Sequence, residues 1–215
     1  MDRMRGLGVW SVAALIVASC AGSAGAPSAS TGASGGTPSG DAAARDYCGQ
    51  QGGKLVERHP VYATNGDPSS WLRLAGDATF CEFESGTGSE TTRFAVDLVT
   101  LSSEQPTLAG LAYLSKVRPT LPDTPSTNPA AYNCAAGLGG AEAFGTAAAS
   151  SGGWVNEDEP VFSVMDMCVF ADGSAIDEWG ITYYAQGTVR GADLATKMRY
   201  QPGDQLPAVF PTLRR

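Results

Sequence analysis

The chain has a single histidine, His59, among 215 residues, and it has no Cys-x-x-Cys pair. These two absences remove the ligand sets from which zinc sites are usually built. They also leave any imidazole-based acid–base chemistry resting on one residue. Basic residues are scarce as well, with 14 Lys and Arg against 22 Asp and Glu and a formal net charge of −8. Such a surface repels phosphate backbones and anionic headgroups, so nucleic acid is not an expected partner and membrane contact needs another route. No apolar run approaches the ~20 residues that a membrane-spanning helix requires. No long amphipathic helix or pore-forming repeat is visible either.

The route to a membrane is written at the N-terminus. Arg3 and Arg5 precede a short apolar run from Leu7 to Val17, which ends in Val17-Ala18-Ser19-Cys20. This is the layout of a secretory signal, and its last four residues resemble the lipobox of bacterial lipoproteins. The resemblance implies a diacylglyceryl group on the Cys20 thiol and cleavage before that residue. Two or more acyl chains would then hold the protein stably at a membrane. Loss of residues 1–19 removes Asp2, Arg3 and Arg5, one acid and two bases, which takes the formal charge from −8 to −9. From Ala21 to Gly40 only Ala, Gly, Ser, Thr and Pro occur. That composition buries no core, and as a flexible linker of about 20 residues it spans ~25 Å.

Cys20 assigned to lipid leaves Cys48, Cys81, Cys134 and Cys168, an even set in an exported, oxidising setting. Four cysteines allow three pairings, and an internal repeat selects one. Tyr47-Cys48 followed by Gly52-Gly53 matches Tyr132-Asn133-Cys134 followed by Gly139-Gly140. Ser69-Ser70-Trp71 matches Gly152-Gly153-Trp154, and Cys81-Glu82-Phe83 matches Cys168-Val169-Phe170. Equivalent cysteines should bond equivalently, giving Cys48–Cys81 and Cys134–Cys168. Closing a loop of about 34 residues stabilises by ~3.7 kcal/mol on the chain-entropy model.

The match extends to Arg93–Val99 against Glu178–Tyr184, both of which read as strands. Their alternate apolar rows are Phe94, Val96, Leu98 and Trp179, Ile181, Tyr183. Helices are predicted around Leu108–Lys116 and Arg190–Arg199, and Pro119 and Pro202 act as stops. Asp41 and Asn128-Pro129 are predicted to open the two repeats with helices. The expected fold is therefore α+β, two tandem repeats, each a helix, a small antiparallel sheet and a helix, stapled by one disulfide. The expected organisation is a signal peptide over 1–19, lipid anchor and linker over 20–40, repeat one over 41–118, a connector over 119–128, and repeat two with a tail over 129–215.

Repeat two carries Asn128-Pro129-Ala130, Tyr132, Cys134, Gly139-Gly140, Cys168-Val169-Phe170-Ala171-Asp172-Gly173-Ser174 and Asp177-Glu178-Trp179. In these residues it resembles a family of small exported bacterial domains of unknown function that are often labelled haemolysins. The resemblance covers 128 to about 184 and, more faintly, 46 to 99. Asn133 separates Tyr132 from its cysteine, Ala171 replaces a family proline, and Ile176 stands where a further cysteine is usual. The resemblance implies a shared small fold; a shared function does not follow from it.

Candidate sites are few. His59 has no recognisable nucleophile nearby. Glu157-Asp158-Glu159 offers hard oxygen ligands but lacks the alternating spacing of a calcium loop, and reads as a solvated hairpin tip. Asp172-Gly173 reads as hairpin-turn chemistry. Asp177 and Glu178 read as surface acids, Trp179 and Tyr183 as core, and Tyr184 as the candidate for a binding patch. No cofactor, metal or catalytic residue is expected. The expected function is a non-enzymatic binding or interaction module of the cell envelope, anchored through Cys20, with an envelope protein or polymer as partner. The alternatives are a hydrolase inhibitor, a toxin-like effector or an envelope hydrolase that uses carboxylates.

Overall fold

A computed structural model describes residues 40–118, 128–142, 151–158 and 163–203. The stretches expected to be signal peptide, lipid anchor and linker, up to residue 39, and the expected connector up to residue 127 lie outside the described residues, as do Cys20 and Glu159.

Helix α1 (Gly40–Gln50) is built on Ala42, Ala43 and Ala44, the strongest helix formers. Its buried positions Ala44 and Cys48 are four residues apart and so share a face. Asp41 sits inside the first turn rather than capping it, and its carboxylate accepts from Arg45 Nε at 3.2 Å. The chain then turns through Gly52 (φ 82°) into β1 (Lys54–Tyr62). The remaining strands are β2 (Leu72–Arg73), β3 (Ala78–Ser85), β4 (Thr92–Asp97), β5 (Ala141–Glu142), β6 (Gly152–Val155), β7 (Met167–Val169) and β8 (Ala175–Asp177). Four further helices are α2 (Leu98–Ser102), α3 (Leu108–Ser115), α4 (Pro129–Tyr132) and α5 (Glu178–Ala185). Asn128 caps α4, accepting from Ala130 N at 2.9 Å, and a π-turn over Asn133–Gly137 continues it.

The fold is mixed α+β with an antiparallel sheet and two disulfides. The strand order is β2-β1-β3-β4-β8-β7-β5, and β6 pairs with β1. Two separate repeats, each with its own small sheet, are therefore not what forms: strands of both halves make one sheet, joined where Val96 of β4 lies opposite Ile176 of β8. The registers on either side of that joint correspond. Leu55 faces Cys81 and Cys81 faces Val96; Glu142 faces Cys168 and Cys168 faces Ile176. Cys48 is bonded to Cys81 and Cys134 to Cys168, each bond tying a helical segment to a strand.

Side chains alternate across the sheet. One face carries Cys81, Phe83, Phe94, Val96, Cys168 and Ile176, which pack with Ala109, Ala112 and Tyr113 of α3 and with Ile181 and Tyr184 of α5 in the main core. The other face carries Phe80, Ala95, Met167 and Ala175 in a smaller cluster with Met165, against which Trp154 packs. Arg58 of β1 is wholly buried and donates from Nε to Glu82.

Two sequence expectations are corrected. Residues 178–184 form helix α5 rather than a strand, because Asp177 accepts from the Gly180 amide at 2.7 Å and so caps a helix. Phe94 and Trp179 consequently do not occupy the same position: Phe94 is buried in β4, while Trp179 is half-buried at the start of α5. The helix expected over 190–199 is one short 3-10 turn, Leu194–Thr196. Gly191 keeps a helix from starting at Arg190, since its φ is 62° and an added Cβ there would be 2.4 Å from the Phe83 carbonyl.

Gly53 and Gly140 explain why a Gly-Gly pair follows each helical cysteine. A Cβ at Gly53 would lie 2.3 Å from the Cys81 sulfur, and one at Gly140 would lie 2.4 Å from the Cys168 sulfur. Gly53→Ala and Gly140→Ala should each cost ~1–3 kcal/mol by overpacking against a cystine, whereas Ala at exposed Gly49, with nothing within 4 Å, should be tolerated. Chemical denaturation of the three variants checks this; equal stability of all three would contradict the close contact.

Candidate functional site

The structure separates the sequence-level candidates into two clefts. The first, of about 390 Å³, is lined by His59, Arg58, Arg73, Asp77, Glu157 and Asp158 among others, and among the described residues its lining contains no Ser, Thr, Cys or Tyr. His59 lies within β1 opposite Val155. At the acidic tip, Glu157 accepts from Arg73, which also reaches Asp77 at 3.1 Å. Asp158 turns its amide onto Asn156 Oδ1 at 2.9 Å. Glu157 and Asp77 are thus engaged with a guanidinium, and Asp158 joins a local turn through its amide. Among the described residues no group of three or more His, Cys, Asp or Glu is placed to hold a metal ion.

The Asp172-Gly173 turn lies between β7 and β8, with Gly173 at φ 81°. It also reaches across the molecule: Asp172 accepts from the Leu108 amide at 2.8 Å, and Ser174 Oγ accepts from the Ala109 amide at 3.0 Å, both at the start of α3. Burial pushes the Asp172 carboxyl up, but hydrogen bonds from Ser174 and Leu108 outweigh it and hold the group below its ordinary value.

The second cleft, of about 350 Å³, is lined by Trp179, Asp177, Asp166, Arg93, Arg190 and Met165, with Gly88 and Thr91 at one side. Its parts come from separate elements. Arg93 projects from β4, with Nε 3.3 Å from Glu84 Oε1. Asp177 ends β8 and caps α5, whose first turn carries Trp179. The Trp179 ring lies 5.8 Å from that of Tyr183, and the Arg190 guanidinium stands 5.3 Å over the Tyr183 ring. Asp166 accepts the Glu178 amide on its backbone carbonyl at 3.0 Å, which fixes the segment 163–166 beside the helix start.

Burial pushes the Asp177 carboxyl up to about 6; the Gly180 amide and the Arg190 charge oppose that shift, and Asp166 adds to it. Asp97 provides an internal comparison. It caps α2, accepting from Thr100 N at 2.8 Å and from Ala175 N at 2.7 Å, and burial raises its pKa too. The raised pKa at Asp177 is thus what a buried N-cap aspartate shows in this fold, whether or not it lines a cleft.

The tyrosines exchange the roles expected of them. Tyr184 is buried, stacked on Tyr113 at 3.9 Å with 9° between the rings, while Tyr183 is exposed. A helix places residues 181, 184 and 185 inward where a strand would place 181 and 183 inward. Arg93, Asp166 and Arg190 were not singled out from the sequence. The alternation around Phe94 and Val96 carries a signal for Arg93, because it puts Arg93 and Ala95 on the opposite face of the sheet. No local pattern marks Asp166 or Arg190.

Asp177 makes a pH prediction. Its folded-state pKa of about 6 lies above the ordinary 3.8, so the native state binds this proton more tightly than the unfolded chain. Its contribution to stability is present below the ordinary value and is lost as pH rises through about 6. Asp177→Asn keeps a capping side chain and should lessen the fall in stability across that interval by up to roughly 3 kcal/mol. Denaturation midpoints of both proteins as a function of pH test this, and parallel curves would contradict it.

Comparison of the chain with protein-family models, with curated proteins and with solved structures finds no match in any of the three.

Proposed function

We propose that the chain is an exported lipoprotein, held to a membrane by an acylated Cys20, and that its folded part is a non-enzymatic binding module whose ligand site is the Trp179 cleft. The observation that carries the reading is the cleft itself: a half-buried indole beside two carboxylates and two guanidiniums, set on the joint between β4, β8 and α5. Specific small-ligand sites combine an apolar wall with a few convergent polar groups in this way. Two disulfides buried in the core agree with an oxidising compartment. An envelope protein or polymer is the partner class we propose, and the acidic balance of 22 acids against 14 bases argues against nucleic acid.

We further propose that the two halves are divergent copies of one unit, as the internal matches beginning at Tyr47-Cys48 and Tyr132-Asn133-Cys134 suggest. What supports this is the register: the steps Gly53, Leu55, Cys81, Val96 on one side correspond to Gly140, Glu142, Cys168, Ile176 on the other. The units then meet about an approximate two-fold axis at Val96 and Ile176. Equivalence continues through the caps Asp97 and Asp177.

One observation favours a second reading. Asp166 and Asp177 line the same cleft, and paired carboxylates are the machinery of glycoside hydrolysis. The shift in the same direction at Asp97, which caps a helix and holds a neighbouring strand, weighs against it.

Cys20→Ser should lose lipid labelling and move from the membrane to the soluble fraction; a variant that stays lipidated at the membrane would refute the anchor. The full chain should capture a specific component of envelope extract, and Trp179→Ala should lose it while Trp71→Ala, outside the cleft, retains it. Turnover of an envelope polymer that is abolished in Asp177→Asn would instead establish the hydrolase reading.

A further inference from the structure

We infer that the Trp179 cleft binds a neutral saccharide segment, with the indole as platform and the acidic and basic side chains as hydroxyl partners; this rests on the cleft being the ligand site. The first argument is charge. Among the described residues that line it, Asp166 and Asp177 balance Arg93 and Arg190 when all are ionised, so these four groups together favour neither an anion nor a cation.

The second argument is hydrogen-bond type. A carboxylate only accepts and a guanidinium only donates. A sugar hydroxyl does both, so adjacent hydroxyls on one ring can donate to an aspartate and accept from an arginine. A cleft that offers both kinds of group suits a polyol better than a ligand with one kind of group.

The third argument is shape. One face of a pyranose ring presents C–H bonds, an apolar surface that lies flat against an aromatic ring, and Trp179 supplies that ring half-exposed. The volume of about 350 Å³ lies at the small end of ligand sites and suits one or two sugar rings. Tyr183 is 37% exposed and its ring centre is 5.8 Å from that of Trp179, so the aromatic strip runs on beyond the cleft. A glycan chain could continue along it, which makes an oligosaccharide a better fit than a monosaccharide.

The test is calorimetric titration of the full chain with a panel of neutral di- and trisaccharides and, separately, with charged peptides, at low and high salt. We expect saturable binding of at least one neutral oligosaccharide, with an affinity that changes less than about twofold with salt. Trp179→Ala should weaken it at least about tenfold, Arg190→Gln several-fold, and Trp71→Ala, whose indole bonds the Gly66 carbonyl at 3.2 Å outside the cleft, not at all. If no saccharide binds but a charged peptide does, and Trp179→Ala abolishes that binding, the cleft stands and the saccharide inference falls. If Trp179→Ala and Arg190→Gln capture the same envelope component as the unaltered chain, the cleft reading falls and the inference falls with it.

Discussion

The pairing of β4 with β8 is the contact on which the rest of the structure depends. Val96 opposite Ile176 carries the register between β2-β1-β3-β4 and β8-β7-β5, and the other strand link between the halves is β6, paired with β1 from His59 to Tyr62. Asp97 reinforces it by accepting the Ala175 amide at 2.7 Å, so one carboxylate both caps a helix and holds the neighbouring strand. Without that joint each half would present an unpaired edge and an uncovered apolar face. The sheet would fall into β1–β4 on one side and β5, β7 and β8 on the other, each too small to bury that face alone. Phe94 then lies under Gly180, where a Cβ would come within 1.9 Å of the ring, so the joint also dictates how closely α5 can approach the sheet.

Each disulfide adds a constraint that the joint alone does not supply. Cys48–Cys81 and Cys134–Cys168 close loops of 33 and 34 residues between a helix and a strand. The Gly-Gly pairs allow this: the first glycine takes the left-handed turn, with φ 82° at Gly52 and 68° at Gly139, and the second lets the cystine lie against backbone. Cross-linking and close packing act at the same place, so the helix can leave the sheet only if both give way.

How much of this was legible follows from which signals are local. The cysteine spacing, the Asn128-Pro129 cap, the α3 span and the Asp172-Gly173 turn are all short-range patterns, and each corresponds to a described element. Glu178–Tyr184 was misread because its apolar residues satisfy both periods: Trp179, Ile181 and Tyr183 alternate, while Ile181, Tyr184 and Ala185 follow a helical stripe. What decides between them is partly local, the Asp177 cap, and partly tertiary, the stack of Tyr184 on Tyr113. The repeat itself was visible, but its alignment slipped. Fifteen residues separate Cys81 from Val96 and only eight separate Cys168 from Ile176, so an ungapped match placed Phe94 on Trp179 instead of placing Val96 on Ile176. The cleft was illegible for a similar reason, since its lining comes from segments more than seventy residues apart, such as Arg93 and Asp166.

That difference in hairpin length also accounts for why the cleft stands where it does. On one side of the joint, the longer β3–β4 hairpin carries Gly88, Thr91 and Arg93 out to form a wall opposite Asp177 and Trp179, leaving a space of about 350 Å³. On the other side, the tight Asp172–Ser174 turn stays close to the sheet and is filled by α3, whose first two amides it accepts at 2.8 and 3.0 Å. Two aspartates in the same capping role therefore have different surroundings. Asp97 is closed over by backbone donors from Thr100 and Ala175, and Asp177 borders an opening lined by an indole and two guanidiniums. Under the proposed duplication, one copy keeps the position for holding the fold together, and lengthening a single hairpin in the other arm of the sheet turns its counterpart into a place where a ligand can be held.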